Sequence, residues 1–278
     1  MDLPAELLDI RAIALDMDGT LAGADSSVTP RSLRALGALQ AAGVEPILVT
    51  GRMAASAERV MRDSGVDGYI VVCNGAIVRH VGTNELLARR FMEPRAVLEL
   101  IEFAETSDVR LMPFSETEMF ATDPGPDTAF LAETQDDVRF RFGPLRDIDL
   151  NAITKVMISA PPARLDAITP GLLRVAPTSV RSLDDFAEVS HPLTDKWAGL
   201  GLVLDRLGLT GGDLAGVGDG ENDLAWMRHV AWPMAPSNAR SKVQRAARLH
   251  LGHHDDEAVA DLLEQLVAAR AARLAVGS

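Results

Sequence analysis

The sequence is poor in cysteine and in positive charge, and each shortage excludes a class of protein. Cys73 is the single cysteine among 278 residues, which excludes an intrachain disulfide and a metal site built from cysteines alone. Lys and Arg number 27 against 40 Asp and Glu, so the formal net charge is -13. An acidic chain of this kind argues against nucleic acid and against an anionic membrane as partners.

Long apolar runs, internal repeats and low-complexity segments are also absent. No stretch is long enough to span a bilayer, and Met1–Glu6 lacks the basic start of a secretory signal. We therefore expect a cytoplasmic protein without a membrane partner. The 47% hydrophobic content suits one large domain or two modest ones.

Two carboxylates follow a short apolar run in the stretch Ile13–Leu21, which reads I-A-L-D-M-D-G-T-L. The run is typical of a buried strand, and an extended chain through Asp16 and Asp18 would place both side chains on one side. Carboxylates that close repel each other, and Mg²⁺, which prefers oxygen ligands, would relieve the repulsion. The alternative is a polar turn in which Asp caps a helix.

The next segments alternate between helix and strand. Thr29 and Pro30 open a helical pattern, Val44–Val49 and Tyr69–Cys73 are strand-like runs, and a second helical pattern lies between them. This order predicts a parallel sheet with helical crossovers. Thr50 follows the second strand, where its hydroxyl either caps a helix or binds a phosphate oxygen beside backbone N–H groups.

The regular alternation breaks after Ala76 and returns near residue 188. Between these points the segments carry more Pro and mix short strands with two longer helical patterns. This predicts an α+β domain inserted into the parallel-sheet domain. We assign residues 1–76 and 188–278 to a Rossmann-like core of the α/β class, and residues 77–187 to the insert.

Polar residues reappear at two places in the last third of the chain. Lys196 stands in the first turn of a predicted helix, where its charge opposes the helix dipole, so it is either functional or a solvated lysine. The run Gly218–Asp223, G-D-G-E-N-D, follows a predicted strand and is either a metal-binding cluster or a Gly/Asp/Asn turn. A cluster near the last helix is either a zinc site or a solvated turn capping that helix, and it comprises His250, His253, His254, Asp255 and Asp256.

These motifs closely resemble those of the haloacid dehalogenase-like superfamily in its phosphatase form. The insert after Asn74-Gly75-Ala76 resembles the large α/β cap, called type IIB, of its Cof-type branch. The resemblance implies that Asp16 is the nucleophile, Asp18 the acid/base and Lys196 the residue that neutralises charge. Where the family usually has Lys-Gly, this chain has Lys196-Trp197. The implied Mg²⁺ site comprises Asp16, Asp18, Asp219 and Asp223, and the implied phosphate site comprises Thr50, Gly51, Arg52, Lys196 and Asn222.

The predicted function is Mg²⁺-dependent hydrolysis of a small phosphorylated metabolite, such as a sugar phosphate, through an aspartyl-phosphate. Asp16, Thr50 and Asp219 all follow predicted parallel strands, whose carboxyl ends meet at the ligand crevice of such a sheet. Arg52 is interpreted as a bidentate clamp on substrate, with a solvated helix residue as the alternative. The rival functions are a phosphotransferase such as a phosphomutase, and a non-catalytic phosphate-binding regulator. A dehalogenase would have no use for Asp18 and the metal carboxylates. The sequence predicts no oligomeric state.

Overall fold

The computed structural model describes residues 3–134 and 139–277, which form two compact units. The first unit comprises the described residues up to Gly51, Ala57–Ala88 and the residues from Lys196 onward. The second comprises Arg52–Ser56 and Arg89–Asp195. Within the described ranges, no helix combines the length and the apolar character needed to cross a membrane.

The first unit is built on a sheet that has eight strands among the described residues. Its spatial order is β14-β13-β12-β1-β2-β3-β4-β5, and the strands from β14 to β3 are all parallel. Numbered along the whole chain, these strands are β1 (Ala12–Leu15), β2 (Glu45–Val49), β3 (Tyr69–Val72), β4 (Ile77–His80), β5 (Leu86–Arg89), β12 (Leu214–Val217), β13 (Trp232–Ala235) and β14 (Leu249–His250).

Helices connect the parallel strands as predicted. The first begins after Thr29, whose hydroxyl accepts the N–H of Ser32, and it ends before Gly43, which has a φ of +80°. The core lies between the sheet and its helices, where Leu200 and Val203 pack with strand residues such as Val71. The helices of this part of the chain are α1 (Pro30–Ala41), α2 (Ala54–Ser64), α6 (Lys196–Leu207), α7 (Leu224–Met227), α8 (Ser241–Ala246) and α9 (Ala258–Gly277).

The second unit has a largely antiparallel sheet with six strands in its described residues, in the order β10-β11-β9-β6-β7-β8. Two of its helices pack on one face of that sheet, and Leu131 of the third lies with Phe114 and Met157 on the other face. The elements are β6 (Arg110–Phe114), β7 (Glu118–Ala121), β8 (Arg139–Phe142), β9 (Lys155–Ser159), β10 (Val180–Leu183), β11 (Phe186–Ser190), α3 (Pro94–Ser107), α4 (Pro126–Thr134) and α5 (Pro162–Val175).

The parallel α/β core predicted from the sequence is confirmed, but the edges of the insert differ from the predicted 77–187. Strand β4 pairs antiparallel with β3, with Tyr69 opposite His80, so β4 and β5 extend the core sheet. The longer segment of the second unit runs from Arg89 to Asp195. The change of pattern after Ala76 marks only a reversal of the chain, which continues in the same sheet as far as Ala88.

Candidate active site

The first element of the site is the segment after β1. The backbone N–H of Asp16 donates to Val217 O at 3.0 Å, so Asp16 is still held against the neighbouring strand, and its side chain is buried. A turn begins at Met17, and Asp18 is exposed. The extended chain assumed for Asp16 and Asp18 is therefore not observed, because the strand ends one residue before Asp16.

The turn that follows lies directly against Asp219. Gly19 has a φ of +70°, and a Cβ built there would lie 2.6 Å from Asp219 Oδ2. The Thr20 hydroxyl donates to Asp219 Oδ1 at 3.3 Å. Only glycine satisfies both the backbone angle and the space at residue 19, so the Asp-Gly-Thr sequence brings this turn against the acidic loop after β12.

Lys196 forms the centre of the site. Its side chain is 3% exposed, and its Nζ lies 2.6 Å from Asp16 Oδ1 and 2.7 Å from Asp223 Oδ1. Burial alone would lower the pKa of this ammonium, but the charges of Asp16 and Asp223 outweigh burial and raise its pKa. The solvated-lysine alternative is wrong, because Lys196 is an ammonium ion buried between two carboxylates.

Helix α6 presents Lys196 in this place because it packs closely on the sheet. Gly199, one turn after Lys196, lies so near β3 that a Cβ there would be 2.6 Å from Val71 Cγ1. Trp197, which stands where the resembled family has glycine, packs partly buried against the core cluster and stacks on His229 at a ring distance of 4.4 Å. The departure at Trp197 is therefore accommodated by packing against the core and against His229.

Asp16, Asp219 and Asp223 form an acidic cluster in which one carboxylate oxygen of each lies within 4.8 Å of the others. Burial, and then the charge of Asp223, raise the pKa of Asp16 well above its ordinary value. The same two causes raise the pKa of Asp219 from 3.8 to about 6. Mg²⁺ prefers hard oxygen ligands, and its charge offsets the repulsion between neighbouring carboxylates. The cluster therefore fits a divalent cation.

Asp223 differs from the other two acids because both of its oxygens already receive donors from the protein. Oδ1 accepts from Lys196 Nζ and from Trp226 Nε1, the latter at 3.0 Å, and Oδ2 accepts from the backbone N–H of Gly220 at 3.0 Å. Asp16 and Asp219 are therefore the better candidates for direct metal ligands, and Asp223 holds the lysine.

Thr50 and Gly51 follow β2, the strand next to β1, and Thr50 is fully buried. The backbone of Thr50 makes two sheet-like hydrogen bonds. Its N–H donates to Val71 O at 2.8 Å, and its carbonyl accepts the N–H of Asn74 at 3.1 Å. Asn222 is exposed in the loop after β12. Arg52 is buried and belongs to the second unit, so it is not a solvated helix residue.

The structure thus brings Asp16, Lys196, Asp219 and Asp223 into direct contact or close approach. It places Thr50 at the carboxyl end of the strand beside Asp16, the edge at which parallel strands form ligand crevices. The phosphate-binding roles of Thr50, Gly51, Arg52 and Asn222 remain predictions.

Asn238 is a residue of the site that sequence reasoning missed. Its Nδ2 donates to Gly19 O at 2.8 Å, and its Oδ1 accepts the N–H of His254 at 3.2 Å. It thereby joins the turn after Asp16 to the loop before α9. The sequence signal for a role is its position in a turn after a parallel strand, and that signal is weak without the contact to Gly19.

The histidine cluster lies in the same loop. One ligand atom from each of His253, His254 and Asp255 lies within 4.8 Å of the others. However, His253 accepts the N–H of Asp255 as a cap, and His254 Nδ1 lies 2.9 Å from Ala22 O. Of the two interpretations of this segment, these bonds favour the capping turn.

Comparison with known proteins agrees with this geometry. The profile of the haloacid dehalogenase-like hydrolases matches residues 13–263. The chain is 27% identical over 257 residues to a phosphoglycolate phosphatase of Methanopyrus kandleri, covering 92% of this chain and 96% of that protein. It is 26% identical over 259 residues to an HMP-PP phosphatase of Escherichia coli O6:H1, covering 91% of this chain and 94% of that protein.

The fold is also that of a solved relative. A haloacid dehalogenase-like hydrolase from Bacteroides thetaiotaomicron matches with a TM-score of 0.83 at 24% identity, covering 92% of this chain and 99% of that one. The family profile spans most of the chain, including the segments that hold Asp16, Lys196 and Asp223. The resemblance noted from the motifs is confirmed: the chain belongs to the haloacid dehalogenase-like hydrolase family, as a Cof-type phosphoric monoester hydrolase.

Proposed function

We propose that this enzyme is an Mg²⁺-dependent phosphatase that hydrolyses a small phosphorylated metabolite through an aspartyl-phosphate on Asp16. The observation that carries the proposal is Lys196, whose buried ammonium lies 2.6 Å from Asp16 Oδ1 inside an acidic cluster. A buried carboxylate at a strand end, held by a single cation, is poised to act as a nucleophile. A regulator that only bound phosphate would need no such carboxylate.

In the first half of the reaction, an oxygen of Asp16 attacks phosphorus and the bond from phosphorus to the ester oxygen breaks. Asp18 donates a proton to that leaving oxygen, so the alcohol departs neutral. The exposure of Asp18 supports this role, since an exposed carboxyl exchanges protons readily with water and substrate. Lys196 neutralises charge as the phosphoryl group, already negative, approaches the carboxylate.

In the second half, Asp18 accepts a proton from water, and the oxygen of that water attacks phosphorus. The bond between phosphorus and Asp16 breaks, which releases inorganic phosphate and restores the carboxylate. Thr50, Gly51, Arg52 and Asn222 are proposed to hold the phosphoryl oxygens through hydroxyl, backbone N–H, guanidinium and amide groups. Thr50 is supported by its position at the carboxyl end of β2.

The metal would be held by the carboxylates of Asp16 and Asp219 and by the backbone carbonyl of Asp18, with Asp223 supporting the shell. Burial, and then the charge of Asp223, raise the pKa of Asp16 and of Asp219, and these buried, closely spaced carboxylates support a divalent cation here. When bound, Mg²⁺ would screen the repulsion between the carboxylate nucleophile and the phosphate dianion. Asp219 is kept in place for this task by Thr20 and Gly19.

The substrate is proposed to be a small phosphate monoester, with a sugar phosphate as the leading class. The phosphoglycolate phosphatase among the relatives supports a small phosphorylated metabolite. We assign the choice of substrate to the inserted second unit, which differs in architecture from the catalytic sheet. The proposed location is the cytoplasm, where a chain with one cysteine has no need of an oxidising environment.

A screen for phosphate release over a panel of phosphorylated metabolites, with and without Mg²⁺, tests the proposal. We expect release that requires both Mg²⁺ and Asp16, with the Asp16→Asn variant as the matched control. Added acceptor sugars distinguish hydrolysis from phosphotransfer, because a phosphotransferase would form a new ester in place of free phosphate. Tight binding of a metabolite without turnover would instead favour the regulator.

A further inference from the structure

Trp226 donates a hydrogen bond to the acidic site although its sequence context predicts only an apolar core residue. Its side chain is fully buried, and its Nε1 lies 3.0 Å from Asp223 Oδ1. The same oxygen accepts from Lys196 Nζ at 2.7 Å, while Asp223 Oδ2 accepts from the N–H of Gly220. Three donors from three directions therefore fix the carboxylate of Asp223.

The fold makes room for this indole at a specific place. Trp226 stands three residues after Asp223, so the two side chains lie on the same face of the short helix α7. The indole packs over Gly216 in β12, where a Cβ would lie 2.2 Å from its Cζ3 atom. Any other residue at position 216 would displace the ring and its N–H from the carboxylate.

We propose that Trp226 is a positioning residue that acts through Asp223 on Lys196. Asp223 is wholly buried, so its carboxylate cannot exchange a lost protein donor for water. Without the indole N–H, Oδ1 would keep Lys196 and Oδ2 would keep the Gly220 N–H, so the carboxylate would lose one of three restraints and could follow Lys196 more easily. Because Lys196 Nζ also lies 2.6 Å from Asp16 Oδ1, that movement would shift the cation that faces the nucleophile.

This inference rests on the proposed phosphatase chemistry of Asp16, and its test must separate a hydrogen bond from simple packing. Trp226→Phe removes the N–H and part of the ring. Trp232→Phe is the matched control, since Trp232 is also buried but its ring lies under the guanidinium of Arg248. Replacing Trp226 with benzothienylalanine, in which sulfur takes the place of the N–H, keeps the ring size and removes only the donor.

The experiment measures kcat with nitrophenyl phosphate at saturating Mg²⁺, and the indole N–H signals by NMR. We expect kcat to fall about tenfold or more in Trp226→Phe and in the benzothienylalanine protein, and to be unchanged in Trp232→Phe. We also expect Asp223→Asn to move the indole N–H signal of Trp226 and to leave that of Trp232 in place.

The two measurements distinguish failure of the inference from failure of the proposed function. The inference would be overturned if the benzothienylalanine protein had the same kcat as wild type. It would also be overturned if the indole N–H signal of Trp226 did not move in Asp223→Asn. If the wild-type protein released no phosphate from any ester, the proposed function would fail, and the NMR comparison alone would decide whether Trp226 holds Asp223.

Discussion

Asp219 offers a test of the acidic cluster that needs no substrate, because the cluster should destabilise the folded protein when no metal is bound. Burial and the charge of Asp223 raise the pKa of Asp219 from 3.8 to about 6. Between these values the folded state binds more protons than the unfolded state. The free energy of unfolding therefore falls as pH rises through this window, and the loss is complete above it. The difference between 3.8 and about 6 corresponds to about 3 kcal/mol.

The perturbation is Asp219→Asn, measured by urea unfolding in EDTA at several pH values from 4 to 8. Asparagine keeps the shape of the side chain and removes the ionisation. We expect similar stabilities at pH 4 and a variant up to about 3 kcal/mol more stable than wild type at pH 8. Adding Mg²⁺ at pH 8 should raise the stability of the wild type and leave the variant nearly unchanged, since the variant lacks one of the proposed ligands.

The control is Asp63→Asn, which alters an exposed aspartate of α2. It measures the effect of an Asp-to-Asn exchange on the protein surface, against which the result at Asp219 is compared. The reasoning is refuted if Asp219→Asn and wild type lose stability in parallel from pH 4 to 8. It is also refuted if the variant is the less stable protein at pH 8 in EDTA, because the carboxylate would then be stabilising without a metal.

Three further predictions concern the catalytic residues and their support. Exhaustive EDTA treatment should abolish phosphate release and Mg²⁺ should restore it; turnover that survives EDTA would contradict the metal assignment. Asp18→Asn should lose roughly a hundred- to ten-thousand-fold in rate on alkyl esters and less on nitrophenyl phosphate, whereas Asp16→Asn should form no phosphoenzyme in an acid-quench mass analysis. Gly19→Ala should lower the free energy of unfolding by about 1–3 kcal/mol. This loss should be larger than that of Gly65→Ala, because Gly65 has a similar φ of +69° but a Cβ there would have no neighbour within 4 Å.

Much of the core could be predicted because its signals are local. The apolar run before Asp16, the cap and proline that begin α1, and the glycine that ends it depend on neighbouring residues in the chain. The parallel order of the strands followed from their alternation with helices. That order also predicted the edge of the sheet at which Asp16, Thr50 and Gly218 follow their strands. The family's motifs then supplied roles that local pattern alone left open.

The inserted unit was less predictable for a physical reason. Its strands are short, and most pair with antiparallel partners over contacts far apart in sequence, as β6 does with β9. Pro170 would ordinarily interrupt a helix, but α5 continues through it from Pro162 to Val175. The face of α5 that carries Leu165, Ile168 and Leu172 is buried against the sheet. Tertiary packing of that face outweighs the local cost of proline.

The site itself shows where sequence reasoning ends. Asp16, Lys196 and Asp223 could be named because their residue types are unusual in their local settings. Trp226 and Asn238 could not, since an indole in an apolar run and an asparagine in a turn are ordinary there. Their roles come from side-chain hydrogen bonds, such as that of Trp226 to Asp223, three residues away, and that of Asn238 to Gly19, across 219 positions of sequence. A residue that positions a charged group is recognised by the atom it contacts, and that contact exists only once the chain is folded.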